Sequence, residues 1–210
     1  MNFTLCRRYL RTLVFVLLSS VTLPGWAYAQ ELKLTLLGTG SPQPRMDRFG
    51  PSILVEAGKQ KLVFDCGRGS TQRIEQLKIP FAQIDALFLT HLHSDHIVGI
   101  PDLWLTGWLR GRTSQFRVWG PEGTKEMMAH LEQAYQFDIH TRRDVDEKLP
   151  AQGLTVLAKD IEQGLLYEND GIKVTAFLVI TLSSNLRSDT ASTTADIPSF
   201  SLETLGLLKT

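Results

Sequence analysis

The sequence predicts an α/β domain, and three observations carry that expectation. Short apolar runs of strand length recur between residues 32 and 179, with helix-like stretches between several of them. Glycine-containing turns follow the first of these runs. A histidine cluster then comes directly after a strand-like run, where a loop at a sheet edge would hold it.

Leu32 to Leu37 reads as the first strand, running into Gly38-Thr39-Gly40-Ser41-Pro42, a turn of residues that permit unusual backbone angles. Ser52 to Glu56 and Leu62 to Asp65 read as a hairpin around Ala57-Gly58-Lys59-Gln60. Asp65-Cys66-Gly67-Arg68-Gly69 closes it, and Ser70 is placed to cap a helix through about Leu77. Ala86 to Thr90 is a strand. A helical stretch follows from Ile97, interrupted by Pro101, and Phe116 to Trp119 is strand-like. Thr124 to Tyr135 reads as a helix capped by Thr124, and Leu154 to Ala158 and Ile172 to Val179 are late strands.

With 210 residues and 43% hydrophobic content, the chain suits one globular domain. Residues 1–29 read as a signal peptide outside it. Arg7, Arg8 and Arg11 form a basic start, Leu13 to Leu18 a short apolar core, and Ala27-Tyr28-Ala29 a cleavage site. The apolar core is too short for a spanning helix. The expected mature chain begins at Gln30, is periplasmic or secreted, and has no membrane attachment after cleavage. The Arg7-Arg8 pair hints at twin-arginine export, but the residues after it fit that route poorly. Cleavage takes Lys+Arg from 22 to 19 against 22 acidic residues, a net of −3. No basic block follows, so composition counts against a nucleic-acid partner. Cys6 leaves with the leader, so Cys66 has no internal partner and reads as a small buried residue.

His91-Leu92-His93-Ser94-Asp95-His96 is the most specific stretch of the chain. Neutral imidazole and carboxylate are ligands for zinc and similar cations. His91 and His93, two apart, share a face only in extended chain. A loop at a strand end could offer His91 with His93 to one metal and Asp95 with His96 to a neighbour. His130 and His140 have no partner at ligand spacing and read as surface or packing residues; Trp104, Trp108 and Trp119 read as packing or pocket wall.

Together these segments resemble the metallo-β-lactamase-fold hydrolases, and more closely their ribonuclease Z and arylsulfatase-like branch. The matching segments are Leu36 to Ser41, Val63 to Gly69, Phe88 to His96, Gly99-Ile100-Pro101 and Gly171 to Phe177. The resemblance implies an αββα sandwich with a two-zinc site at one edge, of which residues 30–179 supply the N-terminal part. It implies that His91 and His93 bind one zinc, that Asp95 and His96 bind the other, and that Asp65 orients a ligand imidazole from behind. Asp95 could also steer a proton from an attacking water, as the catalytic residue.

Past Val179 the resemblance stops. The family continues Val-Asp-His, a Tyr-Arg strand and Ser-Gly-Asp-Thr, which bring the remaining ligands; here Ile180-Thr181-Leu182-Ser183-Ser184 follows. Residues 180–210 are rich in Ser and Thr and read as a disordered tail. Permitted codons for that tail, read one nucleotide out of frame, can spell the missing family motifs in order. The sequence therefore predicts a frameshifted, C-terminally truncated and poorly stable chain. Such a chain would bind zinc weakly or partially, lack activity, and leave one face of its sheet bare. For the intact form the expectation is an exported two-zinc hydrolase of phosphate or sulfate esters. Its partner would be a small-molecule ester, with homodimerisation implied by related enzymes. The alternatives are a ribonuclease Z-type tRNA 3′-end endoribonuclease and a non-catalytic truncated product.

Overall fold

Alternating apolar residues build a central sheet with two distinct faces. The computed structural model describes residues 31–179 and 199–200. The expected leader (1–29) and the rest of the 180–210 tail, with its expected disorder and frameshift, lie outside the described residues. Strands β1 (Leu32–Gly38), β2 (Ser52–Ala57) and β3 (Gln60–Phe64) form an antiparallel meander. From β3 the sheet continues in parallel through β4 (Ala86–Phe88), β5 (Phe116–Gly120) and β6 (Val156–Asp160), in the order β1-β2-β3-β4-β5-β6.

Parallel neighbours need crossover connections, and helices supply them. Helix α1 (Ser70–Gln76) joins β3 to β4; α2 (Ser94–Ile97) and α3 (Ile100–Leu109) join β4 to β5. Helices α4 (Thr124–Ala134) and α5 (Gln136–His140), continued by a π-turn at Thr141–Val145, join β5 to β6. One sheet face carries Leu37, Leu54, Val63, Leu87 and Val118 against Ile74, Leu103, Trp104, Trp108, Met128 and Ile139 of these helices.

The opposite face packs on a second, two-stranded sheet of β7 (Gly164–Asn169) and β8 (Ile172–Ala176). The hairpin turns at Asp170 and Gly171, both at positive φ (47° and 78°), as a tight Asp-Gly hairpin turn requires. Val55, Leu62, Phe64, Phe88 and Trp119 meet Tyr167, Ile172 and Val174 between the sheets. Phe88 stacks on Phe64 and Trp119, and Tyr167 stands edge-on to both Phe88 and Trp119. The expected bare face is thus covered over its centre. It stays open at the β1 edge, where Leu32, Leu34 and Leu36 are 42%, 55% and 60% exposed. β9 (Leu178–Val179) pairs antiparallel with β10 (Ser199–Phe200).

Several local expectations change. The first hairpin turn is shorter, with β2 reaching Ala57 and β3 starting at Gln60. Neither Ser70 nor Thr124 is an N-cap. Gly69 and Gly123 hold those positions in left-handed conformation, and each hydroxyl instead donates to a carbonyl three residues back. Pro101 does not interrupt a helix; it sits in the first turn of α3, where a missing N–H costs nothing. The late strand expected over Ile172–Val179 is split, and β7 before it was not foreseen. Trp104, Trp108 and Trp119 are core residues, Cys66 is buried and free, and His130 and His140 are on the surface.

Candidate metal centre

Sheet register builds this site. Phe64 of β3 pairs with Phe88 of β4 in parallel, so both chains leave the sheet at the same edge. In parallel sheets of this kind, ligands bind outside the carboxyl ends of the strands. Asp65 emerges from β3 there, and Thr90-His91 emerges beside it from β4.

Asp65 is held in the left-handed region, at φ 56°, a conformation that a non-glycine residue keeps only when its surroundings enforce it. They do so at both ends. Its N–H donates to the Phe88 carbonyl (2.8 Å), and its own carbonyl accepts from Ser52 Oγ (2.8 Å). The side chain then turns toward the histidine loop. Oδ1 accepts from the Thr90 N–H (2.8 Å) and Oδ2 meets His96 Nδ1 (2.8 Å). Thr90 Oγ1 lies 3.0 Å from Oδ1, 2.8 Å from Oδ2 and 3.0 Å from His91 Nδ1.

The loop backbone is clamped from the other side. The Cys66 N–H donates to the His96 carbonyl (2.7 Å), and the Gly99 N–H donates to the Cys66 carbonyl (2.8 Å). Gly67 allows this approach, because a Cβ there would sit 2.4 Å from the Asp95 carbonyl oxygen. Asp95 itself is buried, His91 and His96 are half-buried, and His93 is exposed.

Of the expected donors, His91 and His93 lie on the loop after β4, whereas Asp95 and His96 lie on the short helix α2 that follows, where a single loop was expected. The His91 ring centre is 4.7 Å from that of His93 and 4.0 Å from that of His96. Asp95 Oδ2 and His96 Nε2 are 3.8 Å apart. Burial, then the neighbouring His96, lowers the His91 pKa and favours the neutral ring that a metal accepts. Burial pulls His96 down as well, but the Asp65 hydrogen bond and the Asp65 and Asp95 charges outweigh it, and its pKa rises.

Imidazole and carboxylate donors are the set zinc takes. Bonds of about 2.0–2.2 Å to nitrogen and oxygen could span a separation like that of the Asp95–His96 pair. Among the described residues, however, no three His, Cys, Asp or Glu side chains converge in an arrangement able to hold an ion. The donors are present as pairs. Sequence reasoning missed Thr90, whose only signal was its place beside His91, and the glycine clamp around Cys66.

A six-stranded mixed sheet with helices on one face, a second sheet on the other and this loop at its edge define a metallo-β-lactamase fold. The chain falls in the ribonuclease Z-like branch of those hydrolases. It belongs to the family described as anti-Pycsar protein Apyc1, which matches residues 32–159. Ribonuclease Z of Mycolicibacterium gilvum is 38% identical over 146 residues, covering 68% of this chain and 51% of that protein. Ribonuclease Z of Mycobacterium bovis is 44% identical over 114 residues, covering 53% of this chain and 41% of that protein. The chain thus spans about half the length of the curated relatives it matches. In fold it is similar to the short form of human tRNase Z (TM-score 0.55, 21% identity, 80% of this chain, 61% of that one). It is also similar to the metallo-β-lactamase fold protein YhfI from Bacillus subtilis (TM-score 0.52, 21% identity, 71% of this chain, 53% of that one).

These relatives correct one expectation. Nucleic acid was counted out because no basic block follows the leader, yet the matching proteins are ribonucleases. A count of charge runs misses cations that meet only in the fold. Arg48 and Arg73, 25 positions apart in sequence, line one groove beside β1 with Phe49 and with Asp47, which pairs with Arg48.

Proposed function

We propose that the chain carries the metal-binding loop of a zinc-dependent phosphodiester hydrolase that acts on RNA, of the ribonuclease Z kind. The observation that carries this reading is the 38% identity to a ribonuclease Z together with the four-donor segment lying over Asp65. It takes precedence over an exported sulfate- or phosphate-ester hydrolase because the curated relatives reported above are ribonucleases.

His91 and His93 would hold one zinc, and Asp95 and His96 the other, with Asp65 behind His96. Zinc bound there supplies a Lewis acid that makes water a hydroxide donor near neutral pH and offsets charge on phosphoryl oxygens. The protein's own part is orientation. Asp65 meets the His96 ring at Nδ1, and Asp95 would be the carboxylate that takes the proton of an attacking water.

The full chain, titrated with Zn²⁺, is tested on a precursor tRNA, a bis-aryl phosphate and an aryl sulfate. The expected result is zinc uptake that Asp95→Asn weakens, with any zinc-dependent cleavage confined to the RNA. Cleavage of the small esters without the RNA, or no zinc uptake, would overturn the reading.

A further inference from the structure

We infer that Thr90 is a positioning residue that carries the hold of Asp65 across to His91, so that one carboxylate fixes the tautomers of two imidazoles. The inference rests on the site reading above and concerns only how this chain prepares its donors.

A threonine hydroxyl has one proton and two lone pairs. Thr90 Oγ1 stands 2.8 and 3.0 Å from the two Asp65 oxygens, 3.0 Å from His91 Nδ1 and, at the limit of hydrogen-bond distance, 3.5 Å from His96 Nδ1, so its one proton cannot serve both the carboxylate and His91. If it donated to His91, its lone pairs would face a carboxylate at hydrogen-bond distance, acceptor against acceptor. If it donates to Asp65, a lone pair is left to accept from His91 Nδ1–H, and every contact has a proton in it. His96 Nδ1 meets the same carboxylate directly at 2.8 Å, where only an N–H is favourable.

Both rings then carry their proton on Nδ1 and turn Nε2 outward as a lone pair. The hydrogen bond made by one ring nitrogen decides which nitrogen is left for a metal. Thr90 suits this task because it is anchored twice: its backbone N–H also donates to Asp65 Oδ1 (2.8 Å). Its branched Cβ limits side-chain rotation as well. Thr90→Val keeps the shape and removes the relay, whereas Thr90→Ser keeps the hydroxyl.

The test reads tautomers directly. The metal-free full chain, with ¹⁵N-labelled histidine, is examined by long-range ¹H–¹⁵N correlation in mildly alkaline buffer. His91 and His96 are expected as Nδ1–H forms. Thr90→Val should move His91 toward Nε2–H and leave His96 unchanged, while Thr90→Ser restores the wild-type pattern. Zinc affinity of the same three chains should fall about 10–100-fold in Thr90→Val and recover in Thr90→Ser. A wild-type His91 in the Nε2–H form would overturn the inference, and this reading stands even if Thr90→Val does not fold. An unchanged His91 tautomer in a folded Thr90→Val chain would overturn it as well. Wild-type tautomers as expected in a chain that takes no zinc would support the Thr90 relay while sinking the metal reading.

Discussion

Cys66 adjoins Asp65 in sequence, yet its thiol faces the helix-side core and has no place in the donor loop. Burial, above all, pushes that thiol up to about 12; a hydrogen bond with Ser70 opposes the rise, and the Asp102 and Asp65 charges add to it. A thiolate is the reactive form, so the native chain should resist thiol reagents through neutral and mildly alkaline pH. Labelling with a maleimide before and after denaturation checks this. The expected outcome is slow labelling of Cys66 in the folded chain and rapid labelling of it once the chain unfolds, located by peptide mass so that Cys6 is counted apart. Rapid native labelling at neutral pH would show that the clamp formed by Cys66 with His96 and Gly99 opens readily. At this scale the sequence was most legible for the candidate donors. Four donors within six residues, and Asp65 at a strand end, can be read without coordinates. Thr90 could not be singled out, because its role depends on β3 and β4 leaving the sheet side by side.

Helix α5 and its π-turn show what an element adds. Arg142 pairs with Asp138 and Glu147, and Asp144 pairs with Arg143 and His140, two neighbouring groups of exposed ion pairs. Arg143, and after it His140, hold the Asp144 carboxyl well below the ordinary carboxylate value of 3.8. A depressed folded pKa means that the pairing is fully present above the unfolded value and is lost as pH falls through the folded one. Exposed pairs are worth little globally, so the loss should be local. Hydrogen-exchange protection over residues 136–148 is expected to drop as the solution is taken below about pH 4, and to drop also in high salt. Protection unchanged down to strong acid would mean that the ion pairs do not order this segment. The element-scale reading of sequence was mixed for a related reason. Apolar periodicity revealed β1 through β5, whereas the caps were misassigned because a hydroxyl at a helix start can serve a preceding turn instead. Strand β7 escaped notice, although Asp170-Gly171 after it is the turn chemistry of a hairpin.

The whole molecule depends on how far the β7–β8 hairpin seals the second face of the sheet. Sequence reasoning expected that face to be bare, since it assigned its cover to residues beyond Val179. The hairpin in fact brings Tyr167 edge-on to Phe88 and Trp119, with its hydroxyl donating to Gln60 Oε1. Leu34 lies on the same face, opposite Val55, but beyond the hairpin's reach and 55% exposed. The two positions should therefore respond very differently to truncation. Tyr167→Ala opens a buried aromatic site and should cost about 3–5 kcal/mol, as large aromatic deletions in cores do. Leu34→Ala should stay within about 0.5 kcal/mol, as at other exposed positions. Urea unfolding of both variants decides between two arrangements of the sandwich. A large loss at Tyr167 alone makes the hairpin the working cover of this face. An equally large loss at Leu34 would show that the β1 edge is also covered in solution, and concentration dependence of that loss would assign the cover to a second copy of the chain.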